Sequence, residues 1–177
     1  MKIIALSGSL RKDSINSALL RALVSLAPAG MIIEQAEIGT LPLYNSDLED
    51  NFPTTATALK GVIEGADGVI FVTPEYNRSI PGVLKNAIDW ASRPWGKNSF
   101  AKKPVLTMGV SVGKIGTALA QSHLKEILLY LDTDIIGQPE LYLGPSGELF
   151  DAAGTLTSDS TKQLLVKALE TLAARAG

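Results

Sequence analysis

The strongest constraint on the fold is a regular alternation of strand-like and helix-like segments along the 177 residues. The strand-like runs are almost entirely apolar, and the stretches between them repeat apolar residues every three or four positions. Continuous apolar strands separated by helices are typical of a parallel sheet covered on both faces. The pattern predicts an α/β protein: a three-layer α/β/α sandwich with a five-stranded parallel sheet, formed by one domain over residues 1–177.

The predicted elements follow one another along the chain. Strands are expected at residues 2–7, 31–38, 67–73 and 104–110, and a weaker one within 134–143. Helices are expected at residues 16–26, 54–66, 81–91, 116–131 and 160–174. Ser160 and Gln163 have the spacing of a capping box, so the last helix is expected to begin at Ser160.

Composition and charge exclude several classes of protein. Apolar residues make up 46% of the chain and the formal net charge is −2. These values are typical of folded proteins, and so small a charge gives no electrostatic reason to expect nucleic acid or an anionic membrane as partner. No apolar run reaches the roughly 18 residues of a membrane helix, and the N-terminal run is too short for a signal peptide. A cytoplasmic location is therefore expected.

The chain is poor in side chains that perform chemistry by themselves. It contains no cysteine, which excludes disulfides, thiolate catalysis and cysteine-ligated metals, and it has one histidine, His123. A multi-histidine metal site is impossible, and the helical angle of His123 predicts a partly exposed position beside the apolar stripe. No catalytic side chain and no metal site are assigned. An enzyme of this composition is expected to use the chemistry of a bound cofactor.

Three polar segments leave the carboxyl ends of predicted strands. We call them the first loop (7–16), the second loop (74–80) and the third loop (111–116). In doubly wound parallel sheets, ligands bind beyond the carboxyl ends of the strands, where the strand order reverses. A binding site is therefore expected where the three loops meet.

The first loop has the composition of a phosphate site. Gly8 permits a tight turn, Ser9 and Ser14 offer hydroxyl groups, and the following helix presents free N–H groups at its positive end. Arg11 adds a guanidinium whose fork geometry suits a phosphate. The alternative is that Ser14 and Asn16 only cap the helix while Arg11 is solvated.

Pro74 in the second loop and Pro81 directly after it stiffen the backbone, so the N–H and C=O groups of the loop could contact the edge of a flat heterocycle beside Tyr76. The alternative is a rigid turn that only introduces the next helix. No P-loop is present, because only three residues separate Gly109 and Gly113, and no dinucleotide fingerprint follows the first strand. A mononucleotide with one phosphate is therefore the expected ligand.

Three stretches together resemble the NADPH-dependent FMN reductase family, and most closely its bacterial quinone and chromate reductases: GSLRKDSIN at 8–16, PEYN at 74–77 and PGVLKNAIDW at 81–90. The resemblance implies a flavodoxin-like fold with strand order 2-1-3-4-5, bound FMN, and homodimers or homotetramers. It also implies that hydride passes from NADPH or NADH through flavin N5 to quinones, chromate, azo or nitro compounds by a ping-pong mechanism.

The resemblance also implies a set of site residues. Ser9, Arg11, Ser14, Ile15 and Asn16 would hold the FMN phosphate; Pro74, Glu75, Tyr76 and Asn77 would line the isoalloxazine ring; Ser111 would approach the ring from the other side. One departure concerns Gly116-Thr117, where relatives often carry two glycines, so the contacts of the third loop stay open. Tyr44 and Trp95 are candidates for a subunit contact or for the site itself.

Two other functions fit an FMN-binding or nucleotide-binding sandwich. One is a flavodoxin-type electron carrier, and the other is a non-catalytic nucleotide-binding regulatory module. Such carriers are usually strongly acidic around the flavin and use a phosphate loop without arginine. The charge of −2 and the presence of Arg11 favour the enzyme.

Overall fold

A parallel sheet forms the centre of the computed structural model, which describes residues 1–177. Its strands are β1 (Lys2–Ser7), β2 (Ile32–Gln35), β3 (Gly68–Val72), β4 (Pro104–Val110), β5 (Asp134–Ile135) and β6 (Tyr142–Leu143). All neighbouring strands pair in parallel, in the order β2-β1-β3-β4-β5. The flavodoxin-like order 2-1-3-4-5 is therefore confirmed.

The last position of the sheet is shared by two short strands instead of one continuous strand. β5 pairs with Pro104 and Val105 at the start of β4, and β6 pairs with Gly109 and Val110 at its end. The segment between them contains Gly137 and Pro139, and proline cannot donate a backbone hydrogen bond to a ladder. The sheet thus has six strands where five were expected.

Five α-helices cover the sheet: α1 (Ile15–Leu26), α2 (Thr54–Glu64), α3 (Gly82–Ala91), α4 (Ala118–Tyr130) and α5 (Asp159–Ala176). Successive side chains of a strand point to opposite faces, so Ile3 and Ala5 pack with α1 and α5, whereas Ile4 and Leu6 pack with α2, α3 and α4. One apolar cluster thus lies on each face of the sheet, between the sheet and its helices, so the domain has three layers. None of the helices has both the length and the apolar composition to cross a membrane.

The start of α5 differs from the predicted capping box. Ser158 is the capping residue, and its Oγ accepts a hydrogen bond from the Thr161 N–H at 3.3 Å. The chain offers two serines, at 158 and 160, and only Ser158 has the extended backbone (φ −68°, ψ 110°) of an N-cap. The predicted capping residue, Ser160, was therefore two residues too late, and α5 begins at Asp159, one residue before the predicted start.

Candidate functional site

The three polar loops lie side by side at one edge of the sheet. They follow β1, β3 and β4, which are neighbours in the strand order, and this edge is where the chain turns from one side of β1 to the other. At Gly8 the first and second loops touch, since an added Cβ would lie 3.2 Å from Pro74 Cδ and 3.3 Å from Pro81 Cγ. The structure thus brings together the segments that the sequence singled out.

The first loop presents a row of unpaired hydrogen-bond donors. Among the backbone N–H groups from Ser9 to Ile15, only that of Arg11 has an acceptor within the chain, the Ser9 Oγ at 3.4 Å. Ser14 Oγ accepts from the N–H groups of Asn16 (3.2 Å) and Ser17 (3.3 Å), which leaves its own O–H free to donate. Ser14 therefore caps α1 and can still donate to a ligand.

Two side chains near this loop lack a partner. The exposed Arg11 guanidinium makes no ion pair or hydrogen bond within the chain. Ser7 is buried at the end of β1, and its Oγ has no hydrogen-bond partner. A buried polar group left unpaired costs about 1–3 kcal/mol, and free donors at a helix N-terminus attract anions. This donor set fits the phosphate of FMN.

Asn16 reaches this loop, but its side chain turns towards the sheet. The buried amide donates from Nδ2 to the Val110 carbonyl at 3.0 Å and accepts at Oδ1 from the Val110 N–H at 3.0 Å. Its own N–H is bonded to Ser14 Oγ. Asn16 thus joins the start of α1 to the end of β4, immediately before the third loop.

The second loop is a tight hairpin. Tyr76 and Ser79 exchange two backbone hydrogen bonds of 3.0 Å, and the central residues Asn77 and Arg78 have φ values of 51° and 66°. Positive φ at both central residues is the geometry of a type I′ turn. Pro74 is buried beneath the hairpin, while Tyr76 is 46% exposed at the edge of the site. The hairpin is therefore held in shape by its own backbone hydrogen bonds.

The Glu75 side chain connects the second loop to α4, a role that sequence reasoning missed. Its Oε2 accepts from the N–H groups of Leu119 (3.0 Å) and Ala120 (3.1 Å), and Oε1 lies 3.2 Å from Arg78 Nη1. The residue before α4, Thr117, makes no side-chain capping bond. Glu75 therefore supplies the missing cap from 44 residues away, at a spacing that no local capping motif covers.

The third loop is closed by its own serine. Ser111 Oγ donates to the Gly113 carbonyl at 2.8 Å and accepts from the Gly116 N–H at 3.1 Å. Thr117, which stands where relatives often carry a glycine, is buried and has a φ of 64°. Its Oγ1 accepts a hydrogen bond from Gln121 Nε2 at 3.1 Å. The bulk of Thr117 therefore lies beneath the loop instead of above it.

His123 borders the second loop, because its Nδ1 lies 3.0 Å from Ser79 Oγ. Its side chain is exposed, as expected for a residue beside the apolar stripe.

Tyr44 donates its O–H to Glu49 Oε1 at 2.6 Å, and this hydrogen bond raises the pKa of Tyr44. The Arg93 guanidinium carbon lies 5.7 Å from the Tyr44 ring centroid and 5.9 Å from that of Trp95, whose side chain is 77% exposed. Tyr44 and Trp95 thus share one surface patch.

Comparison with known proteins agrees with this geometry. The family model for NADPH-dependent FMN reductases matches residues 1–148. A 2-hydroxy-1,4-benzoquinone reductase from a Burkholderia species is 49% identical over 174 residues, covering 98% of this chain and 95% of that protein. An NAD(P)H-dependent FMN reductase from Pseudomonas aeruginosa is 44% identical over 173 residues, covering 97% and 93%.

A solved structure shows the same fold at a similar level of identity. The flavoenzyme FerB from Paracoccus denitrificans, an NAD(P)H:(acceptor) oxidoreductase, superposes with a TM-score of 0.92 at 42% sequence identity, covering 99% of this chain and 96% of that chain. The strand order, the phosphate-type donor set and these matches agree. The chain therefore belongs to the NADPH-dependent FMN reductase family, whose members are oxidoreductases that use FMN and NAD(P)H.

Proposed function

We propose that this chain binds FMN across the three loops and catalyses the reduction of quinones and other two-electron acceptors by NAD(P)H. The observation that carries the proposal is the row of unpaired N–H donors from Ser9 to Ile15 beside the free Arg11 guanidinium. When bound, FMN supplies an N5 atom that can accept a hydride and pass it on. The protein contributes binding, orientation and electrostatics.

In this proposal the site residues fall into two groups. Ser9, Arg11, Ser14 and the Ile15 N–H bind the phosphate, and Asn16 positions them by fastening α1 to β4. Pro74, Glu75, Tyr76 and Asn77 line one side of the isoalloxazine ring, and Ser111 shapes the third loop on the other. The hydrogen-bonded hairpin and the closed third loop support this assignment, because rigid walls orient a flat ring at little entropic cost.

Quinones are the first acceptor class to test. Exposed apolar side chains border the site on the second and third loops, including Tyr76 and Val112, and they suit a flat, apolar ring. A relative of this chain bears the name of a benzoquinone reductase, which supports the same class. A single open surface would receive NAD(P)H and the acceptor in turn, in a ping-pong mechanism. Chromate, azo and nitro compounds are further proposed acceptors.

The test is oxidation of NADPH and NADH by the FMN-loaded protein with benzoquinone as acceptor and no protein partner. We expect quinone-dependent turnover, with parallel lines in double-reciprocal plots of initial rates. A protein that binds FMN but oxidises no NAD(P)H under these conditions would be an electron carrier. A protein that gains no flavin on titration with FMN would instead be a non-flavin nucleotide-binding module.

Arg11→Ala is expected to weaken FMN binding because a charge-assisted hydrogen bond to the phosphate is lost. Such a bond contributes about 1–3 kcal/mol, so the Kd for FMN should rise about 5- to 150-fold. Titration of the apo-protein with FMN measures the change. Lys12→Ala is the matched control, since Lys12 is an adjacent exposed cation that also has no ion-pair partner. Equal effects of the two substitutions would remove Arg11 from the phosphate site.

We further propose that the protein is a cytoplasmic homodimer or homotetramer. Large apolar side chains are exposed away from the three loops, including Trp95 (77%) and Tyr130 (73%). Grouped exposed apolar residues of this size often mark contacts between subunits.

A further inference from the structure

We propose that Glu75 and Arg78 set the reduction potential of the flavin, through a largely buried carboxylate that neutralises the N-terminus of α4 and an exposed guanidinium that partly offsets it. This inference rests on the proposed function, because it places the flavin between the second and third loops. It concerns the electrical environment of the ring, and neither residue is assigned a contact with the reacting atoms. Both act through their charges.

The carboxylate is held in a fixed place between the two loops. Its Oε2 accepts two N–H bonds of 3.0 Å and 3.1 Å from the first turn of α4, and Oε1 pairs with Arg78 at 3.2 Å. The Glu75 side chain is only 10% exposed, so its charge is poorly screened by solvent. Because three donors hold its two oxygens, it cannot turn away when the charge of a neighbouring ligand changes.

The charges in this cluster have unequal influence. A helix N-terminus carries roughly half a positive charge, which the full negative charge of Glu75 more than cancels. The Arg78 side chain is 63% exposed, so solvent weakens its field more than that of Glu75. The cluster therefore presents a net negative potential to the site.

A negative potential opposes reduction. Each electron added to the flavin increases the negative charge on the ring unless a proton follows it. Removing the Glu75 charge should therefore make reduction easier, and removing the Arg78 charge should make it harder. The two substitutions are expected to move the reduction potential in opposite directions, with the larger shift for Glu75.

Two variants test this prediction on the FMN-loaded protein. Glu75→Gln keeps an oxygen that can accept from the α4 N–H groups but removes the charge, and its potential should be more positive than that of the original protein. Arg78→Met removes an exposed charge, and its potential should be more negative by a smaller amount. Spectroelectrochemical titration at pH 7 measures both, and the Kd for FMN is measured in parallel.

Charge-matched controls come from the opposite edge of the sheet. Lys102 and Asp132 form an exposed ion pair, with Oδ2 to Nζ at 2.6 Å, just before β4 and β5 begin. Asp132→Asn and Lys102→Met change the net charge by the same amounts far from the site and should leave the potential unchanged.

The outcomes separate this inference from the proposed function. Unchanged potentials, or shifts of the same sign in Glu75→Gln and Arg78→Met, would overturn the inference while leaving FMN binding intact. If Glu75→Gln no longer binds FMN, the potential of Arg78→Met alone tests the inference, because the exposed Arg78 side chain can be removed without opening the fold. A potential that is not more negative than that of the original protein would then overturn the inference. If the original protein binds no FMN, the proposed function itself fails.

Discussion

Gly116→Ala is expected to be the most damaging single substitution considered for this protein, lowering the free energy of unfolding by about 3–5 kcal/mol. Gly116 has a φ of 61°, a region that L-residues adopt only with strain. An added Cβ would overlap the Tyr142 carbonyl carbon and lie 2.6 Å from the Leu143 nitrogen. Both are backbone atoms of β6, so no side-chain movement can relieve the clash.

The substitution should also separate the third loop from β6, so FMN binding should weaken together with stability. Urea denaturation followed by circular dichroism gives the first quantity, and FMN titration below the transition gives the second. Gly113→Ala is the matched control in the same loop, because an added Cβ there meets no atom within 4 Å. We expect a change within about 0.5 kcal/mol for Gly113→Ala. Similar losses in both variants would contradict this account of the loop.

The second large effect is expected for Asn16→Ala. This substitution leaves the Val110 N–H and carbonyl without their side-chain partner, and both groups are buried at the end of β4. Two unpaired buried groups cost about 2–5 kcal/mol in unfolding free energy. The first loop would also lose its attachment to β4, so the Kd for FMN should rise even though the Asn16 amide is turned away from the phosphate site.

Asn16→Asp sharpens the test. A carboxylate can still accept from the Val110 N–H, but it brings a negative charge against the Val110 carbonyl, which had received a hydrogen bond. We expect a loss at least as large as that for alanine. Asn51→Ala is the control, because Asn51 is exposed and its side chain makes no hydrogen bond. An Asn16→Ala variant of unchanged stability would show that the amide does not fasten α1 to β4.

Much of the fold could be predicted from sequence because its signals are local and repeated. β1 and β4 have the bounds predicted around their apolar runs, and each run needs parallel partners and covering helices to bury both faces. The pair β5 and β6 could not be predicted, since two-residue strands carry no periodicity and exist only through pairing with β4. The start of α5 was mispredicted for a related reason. Ser158 and Ser160 can both cap a helix, and only the backbone conformation of the folded chain shows that Ser158 does so.

The meeting of the three loops at one edge was also predictable, but the hydrogen bonds of their side chains were not. Carboxyl ends of adjacent parallel strands meet at one edge, so the three loops could be identified from their polarity alone. Glu75 and Asn16, however, bond to partners 44–45 and 94 residues away. Those pairings depend on how the strands are ordered in space, so each residue could equally be interpreted as a direct ligand contact.

The cross-links that fasten the loops have a consequence for the handling of the cofactor. Asn16 fastens the first helix to β4, Glu75 ties the hairpin to α4, and Ser111 closes the third loop, each through hydrogen bonds within the chain. The edge where FMN is proposed to bind is therefore cross-linked by bonds between groups of the chain itself. Because these bonds join groups of the chain itself, we expect that FMN can be removed and added back reversibly without refolding of the protein.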